Sequence, residues 1–131
     1  MTSRIRPSPA RSGYSIADKV HASVRHAATS TRFRDFYDLY VYLTRCRIDQ
    51  DRLRHAFEHT FELFGDELPG GVDDIETYGS DFITANEERW RRIRDESRWA
   101  VEVPDFAEVV EVIKQGISQV LDAGSLLKPA A

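Results

Sequence analysis

Two carboxylates lie inside an aromatic-rich stretch of the chain, residues 31–40, which reads TRFRDFYDLY. Asp35 and Asp38 are three positions apart, so on a helix both project from one face. Burying a carboxylate beside aromatic rings is costly unless it has a partner, which marks the pair as candidate acid–base residues. The same spacing also fits a purely structural role, because Arg34 can pair with Asp38, and Arg32 with Asp35, along one helix.

Lys19 is the third candidate for chemistry, and it lies one helix earlier, beside the apolar positions Ile16 and Val20. If the first two helices form an antiparallel hairpin, its ammonium group reaches the face that bears Asp35 and Asp38. A lysine beside two aspartates can stabilise a phosphate while one carboxylate takes a proton. The alternative is a surface lysine whose aliphatic stem runs along the core.

The elements that must position these residues are all helical, because apolar residues recur at helical spacing after about residue 14 and no strand-like alternation is sustained. We predict an all-α fold of about five helices, packed around a central aromatic-rich helix over residues 31–47 that is apolar nearly all round. The predicted domain organisation is a flexible basic arm over 1–13, a single helical domain over 14–124 and a loose tail over 125–131.

Capping signals place the remaining helices. Asp49 is a predicted N-cap for a third helix, with Gly65 placed to end it. Its predicted apolar stripe is Leu53, Ala56, Phe57, Phe61 and Phe64. The loop over 66–80 has room for a short helical turn around Asp74–Tyr78. Thr84 with Glu87 fits a capping box at the start of a fourth helix, and Pro104 suits the first turn of a last helix.

Composition narrows the class of protein. The balance of 41% hydrophobic and 31% charged residues is that of a globular domain. A single cysteine, Cys46, excludes an internal disulfide, and no secretion signal is visible, so we expect a cytoplasmic protein without a membrane span. Residues 1–47 hold nine Lys/Arg and three Asp/Glu, whereas the rest is acidic. The basic half either faces a phosphate-bearing ligand or simply attracts the acidic half.

The two candidate segments together carry a family resemblance. ADKVHASV (17–24) followed by TRFRDFYDLYVYL (31–43) resembles the second half of the AbiEii/AbiGii-type nucleotidyltransferase toxins. That family has a helix opening with Ala-Glu-Lys and then an Arg-x-Lys-Asp-x-x-Asp-Leu helix. Here Asp18 replaces the glutamate and Arg34 replaces the lysine, both with the same charge. The order of the later helices is similar too, so the resemblance covers roughly residues 14–123.

The resemblance implies a toxin of a toxin–antitoxin or phage-defence system. Such proteins transfer a nucleotidyl group from a nucleoside triphosphate to an acceptor, which is tRNA in some members. It implies that Lys19 contacts the triphosphate and that Asp35 or Asp38 positions or deprotonates the acceptor. Arg34 would support the phosphate or the acid pair.

One part of the family pattern is missing from this sequence. The family's front half carries a small sheet with a Gly-Ser or Gly-Gly turn and an Asp-x-Asp pair that holds Mg²⁺ and the nucleotide phosphates. Nothing before Tyr14 supplies it. The segment GGVDD (70–74) comes after the lysine and acid motifs, and its adjacent acids would point to opposite faces of a strand. We therefore reject it as a substitute.

These observations give a specific expectation for this chain alone. It should be the helical C-terminal part of such a toxin, inactive by itself and without a cofactor, although Mg²⁺ and a nucleoside triphosphate are expected for a complete family member. The expected partners are an antitoxin or a complementing catalytic chain, with tRNA as acceptor in the complete enzyme. A homo-oligomer could form through an apolar face on the first two helices, where the missing sheet would pack.

Other interpretations remain open at the level of sequence. The chain could be a non-catalytic helical module for protein interaction or regulation, or a nucleic-acid-binding domain that uses its basic half. Whether Lys19, Asp35 and Asp38 converge distinguishes the first of these from the site proposed above. His55 and His59 are spaced to hold a metal from one helix face but have no evident third ligand. The arginines around Trp90 and Trp99 are mixed with acids, which favours a salt-bridged surface over an RNA-binding one.

Overall fold

The protein is an all-α bundle, as the sequence predicts. The computed structural model describes the backbone of residues 9–26 and 33–127, and the side chains of 13–25 and 33–121. Five α-helices span the described part: α1 Pro9–His26, α2 Phe33–Arg45, α3 Gln50–Leu63, α4 Ser80–Glu96 and α5 Phe106–Leu127. Two short 3₁₀ turns, Val72–Asp74 and Glu76–Tyr78, lie between α3 and α4. They confirm the helical turn expected within the loop.

The ends of α3 follow the predicted capping chemistry. The Asp49 side chain accepts a hydrogen bond from the backbone N–H of Arg52 at 3.1 Å, which satisfies one of the free donors of the first turn. Gly65 follows the helix with a φ of +72°, a conformation that side-chain-bearing residues rarely adopt. Phe64, predicted to continue the buried stripe, is instead 51% exposed, because the helix ends at Leu63 and Phe64 turns out of the stripe.

Two predicted helix starts are wrong, and packing explains one of them. α4 begins at Ser80 with Gly79 as its N-cap, so Thr84 lies within the helix and is not its cap. The extra first turn buries Phe82, whose ring packs against aromatic rings of α2 and α5. α5 begins at Phe106, after Pro104, and the Asp105 carbonyl accepts its first backbone hydrogen bonds.

The terminal segments are only partly described. α1 begins at Pro9, so residues 9–13, which the sequence suggested were part of a flexible arm, are helical. α5 continues to Leu127, inside the predicted tail. Residues 1–8, 27–32 and 128–131 lie outside the described residues, as does the predicted Arg32 partner of Asp35.

An aromatic core joins the helices. Trp90 of α4 is fully buried and contacts Phe33 of α2 and Phe106 of α5, with ring centroids 6.3 and 5.1 Å away. α5 packs against α2, α3 and α4, so it shares the centre of the bundle with α2. Seven apolar side chains of α5 are buried: Phe106, Val109, Val110, Ile113, Ile117, Val120 and Leu121. The C-terminal half of α2, in contrast, is only partly buried.

The placement of α1 positions the candidate site. α1 packs against both α3 and α2. Along α3 the two helices run in the same direction: the Thr60 hydroxyl donates to Asp18 at 3.3 Å, and further along His21 stacks on Phe64 at 4.4 Å between ring centroids. Because these contacts hold one face of α1, Lys19 is directed toward α2.

Candidate functional site

Lys19 of α1 and the two aspartates of α2 converge. The Lys19 Nζ lies 3.4 Å from Oδ1 of Asp35 and 3.3 Å from Oδ2 of Asp38. Both distances exceed the 2.7–2.9 Å or so of a tight charge-assisted hydrogen bond. The ammonium group therefore bridges two carboxylates and does not pair closely with either one.

Arg34 adds a second cation to this cluster. Its Nε donates to Oδ1 of Asp38 at 3.0 Å, four residues along the same helix. The guanidinium also lies over the Tyr37 ring, 5.4 Å from the ring centroid. Its side chain is 69% exposed, so Arg34 meets solvent while it holds Asp38. We refer to Lys19, Arg34, Asp35 and Asp38 as the charged cluster.

The two aspartates differ in exposure. The side chain of Asp35 is 10% exposed, whereas those of Asp38 and Lys19 are each 23% exposed. Asp35 therefore forms the inner wall of the charged cluster, and Asp38 lies at its open edge. A group that arrives from solvent meets Asp38, Lys19 and Arg34 before it meets Asp35.

A buried tyrosine lies behind the charged cluster. The Tyr78 hydroxyl donates to Oγ of Ser23 at 3.4 Å, and Ser23 Oγ donates to the carbonyl oxygen of Lys19 at 3.1 Å. Burial raises the pKa of the Tyr78 hydroxyl well above its usual value, the Ser23 hydrogen bond opposes that shift, and the negative charge of Asp35 adds to it. Neither Ser23 nor Tyr78 was predicted as part of the site, because nothing in the sequence places the loop of Tyr78 beside α1.

The charged cluster is suited to phosphate more than to a metal ion. Lys19 and Arg34 lie at its open edge, where their N–H groups can also donate to an anionic ligand from solvent. Magnesium prefers several oxygen ligands in near-octahedral geometry. Within the described residues no three His, Cys, Asp or Glu side chains are placed to hold a metal ion. Both aspartates already contact Lys19, so the pair does not fit as a magnesium site by itself.

The other candidate residues make ordinary packing and ion-pair contacts in the described part of the chain. His59 packs against the edge of Tyr14, with ring centroids 5.6 Å apart. On α4, Arg91 pairs with Glu88 at 2.7 Å and Arg94 pairs with an acid at the start of α5, which is the predicted salt-bridged surface. Within the GGVDD segment, Val72–Asp74 form a 3₁₀ turn and not a strand.

The sequence predicts an exposed apolar face on the first two helices, but most of the exposed apolar residues lie elsewhere. Among the described residues the large exposed hydrophobic side chains are Tyr14 on α1 and Leu63 and Phe64 at the end of α3. α2 contributes none of them. None of the described helices combines the length and apolar character that crossing a membrane requires.

Comparison with known families gives a match over most of the chain. Residues 13–112 match the family described as "Nucleotidyl transferase AbiEii toxin, Type IV TA system". No curated protein and no solved structure matches the chain. The matched range includes α2, α3, α4 and all four residues of the charged cluster, and it covers most of the chain. The protein is therefore a member of the AbiEii nucleotidyl transferase toxin family.

Proposed function

We propose that the charged cluster is the phosphate- and acceptor-facing part of a nucleotidyltransferase site. The observation that carries this proposal is the position of Lys19 Nζ, within 3.4 Å of two carboxylates that come from another helix. A lysine that was only a solvent-exposed residue of α1 would not need two buried or half-buried carboxylates opposite it, because burying a carboxylate costs free energy. Carboxylates that are buried in this way are common in active sites.

The exposure of each side chain suggests its role. Lys19 and Arg34 lie at the open edge and would hold the triphosphate of the nucleotide. Asp38 is the acid that an acceptor hydroxyl can reach, so it would position that hydroxyl and accept its proton as the oxygen attacks the phosphorus. Asp35 is nearly buried and would hold the Lys19 ammonium in place.

We further propose that residues 1–131 do not complete the reaction without a second component. The sequence has no Gly-Ser turn followed by Asp-x-Asp ahead of the Lys19 motif. The charged cluster does not itself fit a metal ion that would stabilise charge on the transferring phosphoryl group. The missing carboxylates would come from a complementing chain or segment. An antitoxin partner, a tRNA acceptor, a cytoplasmic location and a role in phage defence are part of the same proposal.

Nucleotide binding tests the charged cluster. We expect the full chain to bind ATP, GTP, CTP or UTP weakly by calorimetry, and Lys19→Ala to abolish that binding. Lys114→Ala is the matched control, because Lys114 is a half-buried lysine that pairs loosely with an exposed acid elsewhere, at 3.9 Å. Nucleotide affinity that is equal in wild type and Lys19→Ala would overturn the assignment of the site.

A transfer assay tests the need for a second component. We expect no transfer of labelled nucleotide from any of the four triphosphates to a tRNA pool when Mg²⁺ and this chain alone are present. If the chain alone transfers nucleotide and Asp38→Asn abolishes the transfer, the need for a second component is refuted, whereas the assignment of the charged cluster is supported. If the chain alone binds nucleotide tightly in the presence of Mg²⁺ and Lys19→Ala abolishes that binding, nucleotide binding does not require the second component.

A non-catalytic interaction module is the second candidate function. It is favoured by Leu63 and Phe64, which are 70% and 51% exposed at the end of α3. Exposed large apolar side chains that lie together mark protein contact sites. If a partner protein is captured by wild type and Asp38→Asn but not by Leu63→Ser, and nucleotide binding is absent, this function is the correct one.

A further inference from the structure

Two hydroxyl groups connect the loop before α4 to the charged cluster. The Tyr78 hydroxyl donates to Ser23, and Ser23 donates to the backbone carbonyl of Lys19, over 3.4 and 3.1 Å. Tyr78 is 1% exposed and Ser23 is 5% exposed, so water does not readily replace either bond. The link therefore joins the 3₁₀ turn Glu76–Tyr78 to the helical turn that carries the lysine.

Tyr78 contacts both helices that build the cluster. It reaches α1 through Ser23, and its ring packs edge-on against Phe36 of α2, with centroids 5.9 Å apart. Phe36 is the residue directly after Asp35. One side chain therefore touches α1 one turn after Lys19 and α2 one residue from the inner carboxylate. A shift of Tyr78 would change the separation between the lysine and the acids.

The geometry of the ammonium makes that separation important. Lys19 Nζ lies at nearly equal distances, 3.4 and 3.3 Å, from Asp35 and Asp38. A bridging position between two acids is sensitive to small movements of the helix, whereas a tight pair with one acid follows its partner. Serine hydroxyls that bond to the carbonyl four residues earlier also tend to bend a helix locally.

We propose that Tyr78 and Ser23 are positioning residues that hold α1 so that the Lys19 ammonium bridges Asp35 and Asp38. Their effect on phosphate binding rests on the function proposed above, but their effect on the lysine itself does not. Neither residue contacts a ligand in this role. Each acts only through the position of Lys19.

The lysine side chain provides a direct readout. The sequence contains three lysines, Lys19, Lys114 and Lys128, so their side-chain NMR signals are few enough to assign by substitution. We expect Tyr78→Phe and Ser23→Ala to shift the Lys19 signal and leave the other two unchanged. Ser23→Thr, which keeps a hydroxyl at the same position, should restore the wild-type signal. A merely structural role would lower stability without moving one lysine selectively.

Binding of inorganic tripolyphosphate provides the second readout. Loss of one hydroxyl link should weaken binding by about three- to tenfold, the effect of a typical hydrogen bond. Thr77→Val is the matched control, because Thr77 is the adjacent buried residue and its hydroxyl has no hydrogen-bond partner within the described residues. This control should change neither the Lys19 signal nor the affinity.

The outcomes separate this inference from the proposed function. If Lys19→Ala weakens tripolyphosphate binding but Tyr78→Phe and Ser23→Ala change neither readout, the positioning role is overturned and the phosphate site stands. If Lys19→Ala has no effect on binding while both variants shift the Lys19 signal, the positioning role stands and the phosphate site fails. Should Tyr78→Phe not fold, Ser23→Ala and Ser23→Thr decide the question alone.

Discussion

The interaction between Lys19 and Asp38 can be measured with a double-mutant cycle. Lys19→Met keeps most of the aliphatic stem and removes the charge, and Asp38→Asn keeps the shape of the acid. Asp38 is a better choice for the cycle than Asp35, because the structure shows both cations that contact its side chain. These are Lys19 at 3.3 Å and Arg34 at 3.0 Å. The cycle isolates the interaction that the proposed site requires.

The structure sets the size of the expected coupling. Exposed ion pairs contribute about 0–1 kcal/mol, and removing one partner of a fully buried pair costs about 3–5 kcal/mol. Lys19 and Asp38 are each 23% exposed, nearer the buried limit, but their separation is long for a charge-assisted bond. Arg34 remains beside Asp38 when Lys19 is removed. We therefore expect a coupling of about 1 kcal/mol and a loss of about 1–2 kcal/mol for Lys19→Met alone.

Urea unfolding followed by tryptophan fluorescence provides the measurement, because Trp90 is fully buried in the core and reports its loss. Lys114→Met is the control and should leave the free energy of unfolding within about 0.5 kcal/mol of wild type. A coupling between Lys19 and Asp38 that is indistinguishable from zero would refute the bridging geometry. A wild-type value for Lys19→Met would do the same.

Three further predictions follow from single residues. Thr77→Val should raise the free energy of unfolding by about 1 kcal/mol in a urea titration, because it removes a fully buried hydroxyl without a described partner; a decrease would show that the hydroxyl is bonded. Because burial raises the pKa of Tyr78 above 10.0, the unfolded chain releases that proton first. The buried Tyr78 hydroxyl therefore leaves the free energy of unfolding unaffected below pH ~10 and lowers it by about 1.4 kcal/mol per pH unit above pH ~10. Tyr78→Phe should lose this pH dependence when unfolding is compared at pH ~9 and ~11. An equal alkaline loss in wild type and variant would contradict the buried hydroxyl. Gly65→Ala should cost about 1 kcal/mol in thermal unfolding because φ is +72° there, and no loss would mean that the helix ends differently.

Local sequence chemistry was sufficient for much of the fold. Asp49 and Gly65 each act over a few residues, so the start and end of α3 were predictable from capping rules alone. The start of α4 was not, because Thr84 and Glu87 offered a reasonable cap while burial of Phe82 favoured an earlier turn. Packing over a long sequence separation outweighed a local signal there.

For the candidate site too, some features depend on local spacing and others on packing between helices. Residue spacing was enough to predict that Asp35, Asp38 and Arg34 share a helix face, because i,i+3 and i,i+4 neighbours lie together on a helix. The bridging position of Lys19 between the two acids, with Tyr78 and Ser23 behind it, was not predictable from spacing and depends on how the helices pack. Helical periodicity specifies the direction of each side chain within one helix, whereas contacts between helices depend on how all the apolar faces pack together.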